Sequence, residues 1–284
     1  MAKKLENFRN LNQSNKQSST KKVGEVARKR IKKEKQKEKS VFSKVVIFFL
    51  ILVFMGVAIG ILFSPAFNLS KVIIAEGENV SKAEISNLID VTYGENILKQ
   101  NYKSIKENIL TLPYIKDVKI KLNLPDKIKI DYIERKPYML LKYLESFFVV
   151  DQYGYLLEIK KENNLPNYPI IYGIEIDSYE LGKPLSDTSG IKYRNVVTLI
   201  ETAKQREFPY SIYEVNYESI AGVKLWLEGF DVDVIYGEID KDTVTDKLNF
   251  LAGVLKSESI RGKSGELDIS SENYLEKTIF TERY

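Results

Sequence analysis

The sequence contains no cysteine and no histidine among its 284 residues. The absence of cysteine excludes disulfides, thiol nucleophiles, iron–sulfur clusters and cysteine-bound zinc. The absence of histidine removes the most frequent general base and the most frequent metal ligand of proteins. Few kinds of enzyme chemistry are left to such a chain, and we expect it to use no metal and no cofactor.

Acidic residues are scarce in the first part of the chain. Residues 1–44 hold fifteen Lys and Arg but four Asp and Glu, whereas the remainder holds twenty-eight basic and thirty-five acidic residues. The same segment is poor in aliphatic residues and rich in Lys, Gln, Ser and Asn, a composition typical of disorder. We therefore predict a disordered basic tail over residues 1–44, followed by a mildly acidic body.

Charge is absent altogether from Val45 to Phe63, "VVIFFLILVFMGVAIGILF". As a helix this run is roughly 28 Å long, close to the hydrocarbon thickness of a bilayer. A cleaved signal peptide is the alternative, but the run exceeds a signal h-region and follows an overlong basic segment. We predict one transmembrane helix over residues 45–64, with the N-terminus in the cytoplasm and the rest outside, because basic flanks stay inside.

The basic run "KKVGEVARKRIKKEKQKEK" has a second interpretation, because such runs also bind nucleic acid. No aromatic residues that could stack on bases are interleaved with it. The adjacent apolar helix accounts for the charge through membrane orientation and contact with anionic lipid. We therefore expect a single-pass membrane protein with no nucleic-acid partner.

The segment after the apolar run predicts a small α+β domain over residues 68–136. A short strand from Lys71 to Ala75 precedes a helix that starts at a capping box, with Ser81 as the N-cap and Glu84 three residues later. A second helix, about Tyr102 to Thr111, ends before a proline. Two strands of strict apolar and polar alternation follow, so the predicted order is β-α-α-β-β.

A β-rich domain with an open sheet and two or so helices is predicted over residues 137–270. Strands flank the "DQYG" turn, helices are expected at about Ile191 to Lys204 and Thr243 to Lys256, and a short strand lies within Gly265 to Ser270. An open sheet ends in edges with unpaired N–H and C=O groups. We predict that Gly265 to Ser270 is such an edge. For the C-terminal tail, residues 271–284, three outcomes stay open: extending the edge, binding a partner, or disorder.

Catalytic groups are not conspicuous in the sequence. A serine with a lysine base is the one nucleophilic arrangement that the composition leaves, yet no Ser-x-Met follows the apolar run. Acidic pairs for glycan hydrolysis cannot be separated from ordinary surface carboxylates. Asp151, or a cluster of Asp231, Asp233 and Asp240, would be the candidate cation ligands, but neither has EF-hand spacing and we expect no metal there.

Several motifs in this order resemble the FtsQ/DivIB family of bacterial division proteins. They are the single apolar helix, "LPYIKDVKI", "LPDKIKIDYIERKP", "FFVVDQYGYLLE" and the terminal "GELDIS". The resemblance implies that the first domain is a POTRA domain. It also implies that the end of the second domain receives FtsL-like and FtsB/DivIC-like coiled-coil partners. Carried onto this sequence, the implied partner-binding residues are Glu266, Leu267, Asp268, Ile269 and Ser270.

The functional hypothesis from the sequence is a non-enzymatic scaffold of the divisome at the septal membrane. Such a scaffold would help to recruit or stabilise the machinery of septal wall synthesis. The lysines of the POTRA hairpin would keep its exposed face soluble or contact anionic lipid or wall polymers. The alternative hypotheses are a membrane-anchored extracytoplasmic enzyme that acts on the wall, and a POTRA-type translocation module that would need a separate channel.

Overall fold

The computed structural model describes residues 43–186, 190–218 and 222–283. The predicted disordered tail of residues 1–44 therefore lies outside the described residues, apart from its last two. The chain divides after Phe67 into two units, which we describe separately. In the first unit a helix, α1, runs from Ser43 to Leu62 and is long and apolar enough to cross a membrane. A 3-10 turn over Pro65–Phe67 follows it.

The second unit begins with the predicted β-α-α-β-β arrangement, which includes one further 3-10 turn. Strand β3 lies in the centre of a three-stranded sheet, parallel to β1 and antiparallel to β2. The two helices pack on one face and bury a core of isoleucines, among them Ile85, Ile105 and Ile130. The elements are β1 (Lys71–Ile74), α2 (Lys82–Leu88), α3 (Tyr102–Ile109), β2 (Ile115–Asn123) and β3 (Lys127–Glu134).

The start of α2 confirms the predicted capping box. The Ser81 side chain accepts a hydrogen bond from the backbone N–H of Glu84, and the Glu84 carboxylate accepts one from the backbone N–H of Ser81. Hydrogen bonds from the Ser81 hydroxyl and the Ser81 backbone N–H to the Glu84 carboxylate hold the pKa of Glu84 below its usual value. Val80 and Ile85 are both buried on either side of the cap, as a hydrophobic staple requires. The local sequence thus fixes where this helix begins.

A nine-stranded sheet forms the rest of the second unit. Its strand order is β12-β11-β10-β9-β8-β7-β4-β5-β6. Helices α4 (Ile191–Gln205) and α5 (Val244–Lys256) pack on one face and share a single large core with the sheet. The strands are β4 (Met139–Tyr143), β5 (Ser146–Val150), β6 (Leu156–Lys160), β7 (Ile170–Tyr172), β8 (Ile212–Asn216), β9 (Val223–Leu227), β10 (Asp231–Gly237), β11 (Ser264–Asp268) and β12 (Ile279–Glu282). A short helix, α6 (Tyr274–Lys277), precedes β12.

The sheet is buried on both faces at one end. In β4 the consecutive residues Met139, Leu140 and Leu141 are all inaccessible. Met139 and Leu141 belong to the large core, while Leu140 belongs to a second, smaller core on the opposite face. Tyr114, next to the start of β2, packs into that smaller core. Strand β4 was not predicted from the sequence, because a strand buried on both faces shows no alternation of apolar and polar residues.

The Glu-Arg-x-Pro segment at the end of the hairpin, residues 134–137, makes two separate contacts with other parts of the fold. The Glu134 carboxylate accepts hydrogen bonds from the backbone N–H groups of Glu78, Asn79 and Val80 at 3.0–3.2 Å. This contact ties the end of β3 to the turn after β1. A Cβ atom at Gly77 would come within 2.1 Å of the Glu134 carboxylate, so a larger residue there would displace this side chain.

Arg135 joins the small sheet to the nine-stranded sheet. Its guanidinium lies 2.9 Å from the Asp151 carboxylate, and both side chains are nearly inaccessible, at 10% and 4% exposure. The guanidinium also stacks on the Tyr155 ring at 3.4 Å. The Asp151 carboxylate further accepts the backbone N–H groups of Tyr153 and Tyr155, so it serves this junction rather than a cation loop.

Candidate functional site

The predicted binding segment lies one strand inside the sheet edge. Strand β11 pairs with β10 in parallel on one side and with β12 in antiparallel on the other. The prediction that Gly265 to Ser270 is itself an edge strand is therefore wrong. The C-terminal tail, residues 271–284, supplies the edge instead, through β12.

The five predicted residues divide by the direction of their side chains. Leu267 and Ile269 are completely buried in the large core, and the Ile269 N–H donates to the Ile235 carbonyl at 2.9 Å. Glu266 lies on the opposite face and pairs with Lys224 at 3.1 Å. Asp268 accepts the N–H of Ser270 at 2.8 Å, which shapes the turn after the strand. The structure does not test whether any of these residues binds a partner.

The backbone groups of β12 face two directions. The Arg283 N–H donates to the Ser264 carbonyl at 2.8 Å, and the register places Thr281 opposite Glu266. Because hydrogen-bonded pairs alternate along an antiparallel ladder, Thr281 also directs its N–H and C=O toward β11. Phe280 and Glu282, one residue out of phase, direct theirs away from the sheet. No strand of the described residues pairs with this outer side, so it is a bare edge at which another strand can add.

Apolar side chains accompany the bare edge. Ile279 is 60% exposed and Leu275, on the preceding short helix, is 69% exposed. Phe280 is partly buried and packs against the large core, so it anchors the strand. A Cβ atom at Gly265 would meet the Thr281 carbonyl oxygen at 2.3 Å, and this glycine therefore lets β12 approach β11 closely.

A polar network on the face opposite the helices ties β12 to the inner strands. Asp233 on β10 accepts the Trp226 indole N–H at 2.7 Å through one carboxylate oxygen. Its other oxygen lies 2.7 Å from the Arg283 guanidinium. The indole of Trp226 is thus bonded within the sheet. Among the described residues, the structure brings no three His, Cys, Asp or Glu side chains together as metal ligands, so the candidate cluster of Asp231, Asp233 and Asp240 does not assemble.

Lys247 on α5 is the charged group buried beside the tail. It is 5% exposed, and its ammonium lies over the rings of Tyr236 at 4.6 Å and Tyr274 at 5.6 Å. Burial lowers the pKa of Lys247, while the nearby carboxylates of Asp268 and Glu238 oppose the shift. Tyr274 also packs on Phe250 at 5.1 Å, which attaches the tail to α5. A cavity of about 660 Å³ adjoins this cluster.

The strand at the opposite edge of the sheet, β6, forms hydrogen bonds with another segment of the same chain. The Leu156 N–H on β6 donates to the Lys183 carbonyl, and the Leu156 carbonyl accepts the Gly182 N–H, at 2.9 and 2.8 Å. Tyr114 donates to Glu158 at 3.2 Å, and burial and this carboxylate raise the pKa of Tyr114 to about 12. Edge β6 is thus partly covered, whereas the outer side of β12 has no strand partner in the part of the chain that the structure describes.

Three features were left open or were not predicted from the sequence, two of them at the β12 edge and the third at the opposite end of the sheet. The pairing of β12 was one of several outcomes left open, although Ile279 and Phe280 are typical strand residues. The burial of Lys247 was not predicted, because a lysine in an amphipathic helix is normally exposed to solvent. Arg135 was noticed as part of a motif, without its partner Asp151.

Comparison with known proteins gives a consistent result. The family described as "POTRA domain, FtsQ-type" matches residues 67–135. The cell division protein DivIB of Clostridium tetani (strain Massachusetts / E88) is 29% identical over 210 residues, which cover 72% of this chain and 77% of that protein. DivIB of Clostridium botulinum (strain Loch Maree / Type A3) is 28% identical over 253 residues, 86% of this chain and 95% of that protein.

A relative of lower sequence identity is named FtsQ. The cell division protein FtsQ of Geotalea daltonii (strain DSM 22248 / JCM 15807 / FRC-32) is 24% identical over 184 residues, 64% of this chain and 66% of that protein. The residues of the POTRA match coincide with the three-stranded sheet and its two helices. The chain thus contains an FtsQ-type POTRA domain and is similar over most of its length to DivIB cell-division proteins, which supports its relation to the FtsQ/DivIB family.

Proposed function

We propose that this cell-division protein is a non-enzymatic scaffold whose nine-stranded sheet binds FtsL-like and FtsB/DivIC-like partners outside the membrane. By holding them at the septum, it would help to recruit or stabilise the machinery of septal wall synthesis. The observation that carries the proposal is the bare outer side of β12, where Phe280 and Glu282 direct their backbone groups away from the sheet. A partner strand that adds there would gain backbone hydrogen bonds without displacing any part of the described sheet.

The surroundings of the edge support the proposal. The exposed side chains of Leu275 and Ile279 offer apolar contacts beside the free backbone groups. We assign different roles to the predicted binding residues. Glu266 and Asp268 lie on the strand next to the edge, and Leu267 and Ile269 fix that strand in the core and so position β12.

We place the binding edge outside the cell membrane. The apolar helix Ser43–Leu62 is the membrane anchor in this proposal, and the fifteen basic residues of positions 1–44 keep the N-terminus in the cytoplasm. The POTRA domain would occupy residues 68–136, and the β domain would begin at 137. Because β12 pairs within the sheet, we extend the β domain beyond residue 270 to include the tail.

A binding titration with matched proline variants tests the proposal. The full chain in nanodiscs would be titrated with the FtsL-like and DivIC-like proteins of the same cell. Glu282→Pro removes an outward N–H and should abolish strand addition, because proline lacks the donor. Glu282→Ala controls for loss of the Glu282 pair with Lys263 and should bind normally. Equal binding by both variants would contradict the edge, and absence of binding by the wild-type chain would contradict the proposed partners.

The enzyme hypothesis is tested separately. Incubation of the same nanodisc preparation with purified peptidoglycan should release no soluble fragments. Release that requires the folded chain would overturn the non-enzymatic assignment, whatever the outcome of the titration.

A further inference from the structure

The tip of the β2–β3 hairpin, residues Leu122 to Lys127, carries exposed leucines that the fold does not use. Leu122 shares the strand face of Val118 and Ile120, yet exposure increases along this row until Leu122 is 40% exposed. Leu124 is 55% exposed. Strand β2 thus continues beyond the apolar cover of the two helices, and an exposed apolar group beside charges is typical of an interaction site.

Lysines are stacked against one another on the face next to this tip. In the sheet register Lys71 lies directly opposite Lys127, and Lys121 lies directly opposite Lys129. Like charges placed directly opposite across strands destabilise a sheet. Asp131 relieves part of the repulsion, because Lys121 and Lys129 both lie 2.9 Å from its carboxylate and hold its pKa below the usual value. The opposed lysines therefore lower the stability of the sheet, and an anion bound from outside would relieve their remaining repulsion.

The hairpin tip is fixed to the first residues of its unit. The Ser70 N–H donates to the Asp126 carbonyl at 2.9 Å, and the Ser70 hydroxyl donates to the Asp126 carboxylate at 2.5 Å. Ser70 follows Leu62, the last residue of the apolar helix, by eight residues. Eight residues of fully extended chain cover about 28 Å at most. Chain length therefore keeps the tip within reach of the surface of the membrane that the helix enters.

We infer that the hairpin tip is a second membrane contact, in which the two leucines enter the headgroup region and the lysines bind anionic lipid headgroups. An interfacial segment of this kind buries its apolar side chains about 5–10 Å into the headgroup boundary. The lysine stems lie along that boundary while the ammonium groups reach the phosphates. A soluble acidic polymer would account for the lysines alone, whereas a lipid surface accounts for the leucines as well.

The contact would fix the orientation of the ectodomain relative to the membrane. A single flexible attachment leaves a domain free to tilt, and a second attachment beside the first removes most of that freedom. The inference does not depend on the β12 edge or on any partner strand, because the hairpin residues that carry it lie in or beside the three-stranded sheet and not in the nine-stranded one. Its test is therefore independent of the test of the proposed function.

Site-directed fluorescence on the full chain measures the contact, and the absence of cysteine permits unique labels. Asn123→Cys places a fluorophore at the exposed tip without replacing a leucine. Leu144→Cys, at a residue 77% exposed between β4 and β5, is the matched control. The chain would be reconstituted in vesicles of phosphatidylcholine with or without phosphatidylglycerol, each containing lipid with a headgroup quencher.

The tip label should be quenched in the anionic vesicles and much less in the neutral ones, and the control label in neither. Lys71→Gln and Lys127→Gln should each lower the docking equilibrium constant about fivefold, since a basic residue near an anionic surface contributes about 1 kcal/mol. Leu122→Ser with Leu124→Ser should abolish quenching while the circular dichroism of the chain stays unchanged.

Three outcomes would overturn the inference. The first is equal quenching of the two labels, and the second is quenching that is indifferent to anionic lipid. The third is a tip label that responds to added polyphosphate in neutral vesicles but not to anionic lipid, which would assign the lysines to an acidic polymer. Loss of quenching in the serine variant counts only if its unfolding temperature matches that of the wild-type chain.

Discussion

The two ends of the nine-stranded sheet are built in opposite ways. At the β4–β6 end both faces are buried, and the outer strand is partly covered by residues 182–183. At the β9–β12 end one face carries a polar network, and the outer strand is bare. The first end is occupied by the junction with the POTRA sheet. The second has no such cover among the described residues, which is why we assign partner binding to it.

The largest effect is expected at the covered end, where Arg135→Ala breaks the buried pair with Asp151. An unpaired buried carboxylate costs about 3–5 kcal/mol, so we expect a loss of unfolding free energy in that range. Urea titration of the full chain in detergent would measure it. Lys121→Ala, which removes an exposed ion pair, is the control and should cost no more than about 1 kcal/mol. Similar losses of unfolding free energy in both variants would show that the buried pair contributes no more to stability than the exposed one.

The next effect is at the bare end, where Gly265→Ala forces a methyl group against the Thr281 carbonyl. The clash is with backbone rather than with a flexible side chain, so β12 must move away from β11. We expect a loss of about 1–3 kcal/mol and faster amide exchange in β12. Gly253→Ala is the matched control in α5, where nothing lies within 4 Å of the added methyl group. That variant should gain up to about 1 kcal/mol in unfolding free energy, and a loss there would contradict the packing argument.

A smaller, pH-dependent effect is expected from Lys247→Met. Burial holds the folded-state pKa of Lys247 below the ordinary 10.5. The charged form is therefore disfavoured by folding, and this penalty is complete below the folded pKa and disappears as the pH rises toward 10.5. The methionine variant should be more stable than the wild-type chain at pH 7, and the difference should narrow between the lowered pKa and pH 10.5. A difference that does not change with pH would show that burial does not set the pKa of this lysine.

The smallest effect on stability, and a clear one on binding, is expected from Ile279→Ser. Because Ile279 is 60% exposed, the unfolding free energy should change by less than about 0.5 kcal/mol. Partner affinity should decrease at least about fivefold if the side chain lies in the binding surface. Leu144→Ser, at a position that is 77% exposed toward the other end of the sheet, should leave affinity unchanged. Equal affinities of the two variants would remove Ile279 from the surface.

Alternation and capping made much of the fold predictable from the sequence. The capping box at Ser81 placed α2, and the alternating lysines placed both strands of the hairpin. Where a strand is buried on both faces, as β4 is, the alternation disappears and the prediction failed. Helices α4 and α5 were predicted to within one residue at each end.

The candidate site was less predictable, because it depends on contacts between distant residues. The tail was visible as a mixed sequence, but its pairing depends on the absence of a side chain at Gly265 and on the Arg283 contact with Asp233, fifty residues earlier. The burial of Lys247 likewise follows from the tail packing over α5. The edge was therefore predicted one strand too far inside, at Gly265 to Ser270, while the pairing of the tail was left open.

Single-residue hydrogen exchange tests the central claim most directly. The amide protons of Phe280 and Glu282 would be followed in the full chain, alone and in complex with the FtsL-like and DivIC-like partners. We predict that both exchange rapidly in the free chain and are protected in the complex, while Thr281, already bonded to β11, is protected in both. A complex that forms and leaves Phe280 and Glu282 exchanging as rapidly as before would contradict the assignment of the binding edge.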